Sequence, residues 1–164
     1  MKTLKFKEYK SLNENLNQGF LEPTRENIEE FGLDYSSVDH NSDGSIDYAG
    51  DVNIAWMKLT NIPFNFRYVS GMFNCSDNNL ETLKGSPKTN EMDFRCSKNK
   101  LKSLEFGPET ILKYIDIGNE RYSITCGSNS IASLKMGPTL VPEYFNCEDN
   151  NIIILSDYGR NYKF

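Results

Sequence analysis

Hydrophobic positions in this chain return at a fixed spacing. Phe73-x-Cys75-x-x-Asn78-x-Leu80-x-x-Leu83 is followed twenty-one residues later by Phe94-x-Cys96-x-x-Asn99-x-Leu101-x-x-Leu104. The frame recurs as Ile124-x-Cys126-x-x-Asn129-x-Ile131-x-x-Leu134 and as Phe145-x-Cys147-x-x-Asn150-x-Ile152-x-x-Leu155. Apolar residues two apart share one face of a short strand, so Phe73 and Cys75 are expected to point inward and Asn74 outward. Stacking such strands predicts a parallel sheet. The frame asparagines, Asn78, Asn99, Asn129 and Asn150, fall where the chain turns. A ladder of their amides would satisfy backbone groups that burial removes from water.

Counting back the same interval from Phe73 gives Val52-x-Ile54-x-x-Met57-x-Leu59-x-x-Ile62, a degenerate first copy with Met57 in the asparagine position. Pro87, Pro108 and Pro138, preceded by Ser86, Gly107 and Gly137, mark turns that return the chain to the next strand. One interval is longer. Thirty residues separate Cys96 from Cys126, and the excess lies around 113–122. Ile115 and Ile117 fall on schedule for a strand, so the remaining residues are expected to bulge out as an insertion.

These motifs resemble the leucine-rich-repeat consensus Leu-x-x-Leu-x-Leu-x-x-Asn-x-Leu over roughly Val52 to Leu155. The resemblance implies an α+β leucine-rich-repeat-like solenoid, with short parallel strands in coils of about 21 residues. The phrase running from Val69-Ser-Gly-Met-Phe-Asn-Cys to Gly85-Ser-Pro87, and the segment Asp43-Gly-Ser-Ile-Asp-Tyr-Ala-Gly-Asp-Val52, are similar to a group of mostly uncharacterised proteins of large tailed bacteriophages. That similarity implies a viral origin and brings no catalytic residues with it.

A repeat array exposes its core at each open end unless something covers it. Ahead of the repeats, Leu4 to Leu16 is weakly periodic. A better helix follows Pro23, with Thr24 as N-cap, Gly32 closing the C-terminus, and Ile28 and Phe31 facing inward. A strand-turn-strand at Asp43-Gly44 completes the expected cap. The organisation predicted is therefore an extension over 1–19, a helix and hairpin cap over 20–50, and the repeat array over 51–164. Ser156 to Phe164 is the candidate C-terminal cover.

Size and composition fit one domain without a membrane span, since no apolar run reaches the roughly 20 residues a spanning helix needs. A net charge of −5 and a pI near 5.0, with no dense Lys/Arg cluster, disfavour direct binding to nucleic acid. The basic N-terminus is not followed by an apolar stretch, so it does not read as a secretory signal. The expected location is the cytoplasm of the host cell.

Four cysteines invite a zinc reading, but all occupy one repeat position and none forms a Cys-x-x-Cys pair. Stacked strands would hold them about 4.8 Å apart in a line rather than converging on one ion, so they read as core thiols. Asp39-x-Asn41-x-Asp43-Gly44-Ser45-Ile46-Asp47 matches the first nine positions of an EF-hand loop, yet Gly50 stands where the closing Glu belongs. Asp, Asn, Ser and Gly are also the residues of a hairpin turn, and the turn is the expected outcome. His40, the only histidine, lies in that polar turn. No nucleophile has a partner base, and no phosphate loop or dinucleotide fingerprint is present. The chain is expected to be no enzyme, with no cofactor and no bound metal.

What remains is the outward face of the predicted strands, the concave surface that such solenoids use for binding. Its candidate contacts are Asn53, Met72, Asn74, Arg95, Thr125, Tyr144 and Asn146, joined by Glu120, Arg121 and Tyr122 of the insertion. Met72, Arg95 and Tyr144 are the anchors, being residue types enriched at interfaces. Two functions are open. One is a non-enzymatic phage accessory protein that binds a host or phage protein, such as a bacterial defence component. The other is a virion-associated or structural role, because Met1-Lys-Thr-Leu-Lys-Phe-Lys-Glu-Tyr resembles the capsid-targeting leaders of some phage internal proteins, with Glu14 as the cleavage position.

Overall fold

Strand pairing follows the frame. The computed structural model describes residues 19–111, 123–132, 144–146 and 149–150. Strands β3 (Val52–Asn53), β5 (Phe73–Asn74), β7 (Phe94–Arg95), β9 (Ser123–Thr125) and β10 (Tyr144–Asn146) form one sheet in the order β10-β9-β7-β5-β3. Every pair in it is parallel. Val52 lies opposite Phe73, Phe73 opposite Phe94, Phe94 opposite Ile124, and Ile124 opposite Phe145. Since β7 pairs directly with β9, no strand intervenes in this sheet across the long interval. The strand expected at Ile115 and Ile117, and the insertion itself, lie outside the described residues.

The expected α+β leucine-rich-repeat-like solenoid is not what forms. The chain builds two five-stranded sheets, one parallel and one mixed, and its α-helix content among the described residues is the single six-residue helix α1 (Arg25–Glu30). The second sheet runs β1 (Val38–His40), β2 (Ile46–Tyr48), β4 (Phe66–Val69), β6 (Thr89–Asn90) and β8 (Thr110–Ile111). Its β1–β2 pair is antiparallel and the others are parallel. The error has a physical source. The proline after each repeat marks a turn, yet the segments after Pro87 and Pro108 each pair for two residues with their neighbours. A two-residue strand is too short to show alternation, so β6, with its buried Asn90, and β8 give no periodic signal, and in β4 the buried Phe66 and Val69 stand three apart rather than two.

The hydrogen bonds expected of the frame asparagines are present, and each amide joins successive repeats. Asn78 accepts from Leu59 N–H at 3.0 Å and donates to the carbonyls of Ile54 at 2.8 Å and Cys75 at 3.1 Å. Asn99 accepts from Leu80 N–H at 3.0 Å and donates to Cys75 and Cys96 carbonyls at 3.0 and 3.1 Å. Asn129 accepts from Leu101 N–H at 3.1 Å and donates to Cys96 and Cys126 at 3.1 and 2.9 Å. Asn150 accepts from Ile131 N–H and donates to the Cys126 carbonyl. The amide thus holds its own turn and the backbone of the repeat before it. No equivalent repeat precedes the first copy, so an asparagine there would have no strand to reach. Met57 takes that place and packs partly buried against the core.

Between the sheets lies one core cluster, into which Cys75, Cys96, Leu80, Leu83, Leu101 and Leu104 project fully or almost fully buried. The N-terminal cap continues it. Thr24 accepts from Asn27 N–H at the start of α1, and Gly32, with φ at 73°, reverses the chain after it. Ile28 and Phe31 are buried as expected, and Phe31 meets Phe64 edge-on at 5.3 Å. Edge contacts continue through Phe66 to Phe73, which stacks on Phe94 at 5.5 Å. The cap is therefore joined to the repeats by aromatic packing and by the pairing of β2 with β4.

Replacing Asn99 with Ala leaves the Leu80 N–H and two carbonyls without this amide and is expected to destabilise the fold by about 1–3 kcal/mol. Asn79→Ala, one position outside the frame, should cost much less. Urea denaturation of the two variants makes the comparison, and equal losses would contradict the assigned role.

Candidate protein-binding surface

The register puts the predicted contact residues in a row. Asn53 lies opposite Asn74, Asn74 opposite Arg95, Arg95 opposite Thr125, and Thr125 opposite Asn146. Tyr144 lies opposite Ser123 one residue earlier. Asn53 and Arg95 are exposed, while Met72 and Asn74 are half-buried. Ala55, two residues after Asn53 and so on the same side by strand alternation, is buried. Glu120, Arg121 and Tyr122 lie outside the described residues.

Local bonds fix much of this face. Asn53 and Asn74 each turn a side-chain oxygen back to the N–H two residues on, at Ala55 and Ser76. Asp51 accepts from the Met72 N–H at 2.7 Å, and Arg95 pairs with Asp93 at 2.6 Å. Arg95 remains the one exposed cation of the row, on a strand held by neighbours on both sides. The row offers an ordered set of polar contacts with a guanidinium near its centre.

Behind this face lie buried thiols. Cys75, Cys96 and Cys126 are buried, and burial pushes the Cys75 thiol up to about 12. Cys96 is raised as well, by burial first and then by its neighbouring thiols. Thiolate nucleophiles and metal ligands need the opposite shift.

The Asp39–Asp47 segment is a hairpin turn. Asn41 N–H donates to the Ser45 carbonyl, and Gly44, at φ 80°, makes the reversal. Asp43 accepts from the Ser45 hydroxyl and backbone N–H, which lower its pKa. Asp47 is held by Arg67, whose Nε donates at 2.9 Å, and by the Asn41 amide. Among the described residues no group of three or more His, Cys, Asp or Glu side chains is placed to hold a metal ion. No helix among them is long and apolar enough to cross a membrane.

A second surface escaped the sequence reading. One residue after each β3, β5, β7 and β9 turn begins, the backbone enters the left-handed region, at Trp56 (φ 63°), Asp77 (56°), Lys98 (53°) and Ser128 (55°), and again at Asp149 (55°). These positions share one place in the frame. Asp, Lys and Ser are ordinary solvent residues there, whereas Trp56 is a large apolar side chain left 70% exposed. The signal was available, because a single tryptophan in a column otherwise polar must project into water.

Compared with protein-family models, with curated proteins and with solved structures, the chain finds no match in any of the three.

Two measurements check this description. The Arg67 guanidinium, through its hydrogen bonds, is the main cause holding the Asp47 carboxyl below its ordinary value of 3.8. A depressed folded-state pKa contributes stability above the unfolded value that is lost as pH falls through the folded one. Arg67→Ala should therefore raise the Asp47 pKa in a carboxyl NMR titration and remove that part of the acid sensitivity. Millimolar calcium should leave the melting temperature unchanged, since a ligand of the native state would raise it. A rise reversed by chelator and abolished by Asp43→Ala would contradict the turn assignment.

Proposed function

We propose that this chain is a non-enzymatic phage accessory protein that binds a host or phage protein in the host cytoplasm, through the outward side of its parallel sheet. A component of bacterial defence is the partner we put first. The row Asn53, Asn74, Arg95, Thr125 and Asn146, aligned by register, carries the reading. Five parallel strands present these positions at a regular spacing of about 4.8 Å, which suits a protein surface better than a small molecule. The phage assignment rests on the sequence similarity alone. Arg95 is the expected anchor, since arginine is enriched among residues that dominate interface energetics.

Affinity purification of the tagged protein from infected cells, followed by mass spectrometry, tests the proposal. One host or phage protein should co-purify, and Arg95→Ala should weaken its binding by about tenfold, or 1.4 kcal/mol, with an unchanged melting temperature. Recovery instead from purified particles, trimmed near Glu14, would favour the virion-associated role and overturn this reading.

A further inference from the structure

Trp56 is held in place for no purpose that folding supplies. Its left-handed backbone costs free energy for any residue with a Cβ, and its indole buries little in return. The same place is filled by Asp77, Lys98 and Ser128 in later repeats, so the backbone does not require an aromatic ring. The ring is nevertheless oriented. Lys98 reaches across the intervening repeat to place its ammonium 5.8 Å from the indole centroid, and it also lies 3.6 Å from Asp77 Oδ1. The ammonium is largely exposed and both contacts are weak, so Lys98 is available to a stronger anion.

The corner around Trp56 differs in charge from the rest of the molecule. Lys58, Lys98, Lys100 and Lys102 are all exposed on the turns of alternate repeats, with Asp77 and Glu81 on the repeat between them. Four cations thus face two anions, on a chain whose net charge is −5. Lys98, Lys100 and Lys102 stand two residues apart along one repeat, and Lys58 holds the frame position of Lys100 two repeats earlier.

We propose that this corner docks an acidic polypeptide segment, which lays an apolar side chain on the exposed indole face of Trp56 and sets carboxylates on Lys58, Lys98 and Lys100. The site is distinct from the sheet face and does not depend on it. Apolar contact with an already exposed, oriented ring supplies the anchor, and spaced carboxylates match spaced ammonium groups. Single-stranded nucleic acid would meet one aromatic ring rather than a row of stacking platforms. Its continuous phosphate charge would also run against Asp77 and Glu81.

Trp56 is the only tryptophan, so intrinsic fluorescence reports on this site alone. The probe is a synthetic peptide with one leucine flanked on both sides by glutamates. It should produce a saturable blue shift that weakens at high salt. Lys98→Glu, and separately Lys58→Glu with Lys100→Glu, should each weaken binding by about tenfold while the melting temperature holds. Arg95→Ala should leave it unchanged. The proposal is overturned if the acidic peptide gives no saturable shift, or if neither charge reversal alters its affinity. It is equally overturned if oligothymidylate or a lysine-flanked peptide binds more tightly, or if Arg95→Ala abolishes the shift.

Discussion

Everything in this fold depends on a side-chain amide that can replace three backbone partners at once. Strands of two or three residues cannot satisfy their own turns, because the ladder ends before the chain has reversed. Buried N–H and C=O groups left there would each cost on the order of 1–3 kcal/mol. Asn78, Asn99 and Asn129 meet that need with one oxygen and one NH₂ group, reaching into the repeat before as well as into their own turn. Aspartate would present no donor, and glutamine would be a methylene too long for the same carbonyls.

With the turns fixed, the rest of the packing is decided by what fits between two sheets. Cysteine three residues before the frame asparagine is small, apolar and tolerant of full burial, and its carbonyl accepts from the amide of the next repeat. Phenylalanine two residues earlier fills the wider part of the layer, where Phe73 stacks on Phe94 and meets Phe66 from the opposite sheet. The cap extends this aromatic series through Phe64 to Phe31. An antiparallel β1 then flanks the mixed sheet at the cap end.

The sequence made one sheet legible and concealed the other. Frame spacing located β3, β5, β7, β9 and β10 in register, and Met57 already marked the first copy as atypical. The opposite strands β6 and β8 are two residues each, too short for alternation to be seen, and proline before them read as a turn. That omission turned a two-sheet chain into an expected leucine-rich-repeat-like solenoid. Helix α1 and the Asp43-Gly44 hairpin were visible because capping and turn residues act locally. The row of outward residues followed from the frame. Trp56 did not, since it lies in the turn beside the strand positions, where left-handed backbone leaves the indole in solvent.

The asparagine bonds also give the molecule a direction. Each amide points from a later repeat back to an earlier one, so a repeat is complete only when its successor has been added. During synthesis from the N-terminus, the cap and first copy come first, and each new amide locks the backbone already laid down. Losing one amide frees its own turn and the backbone it holds in the repeat before, and leaves the amides of earlier repeats in place. Each repeat thus acts as a ratchet tooth, holding the one laid down before it.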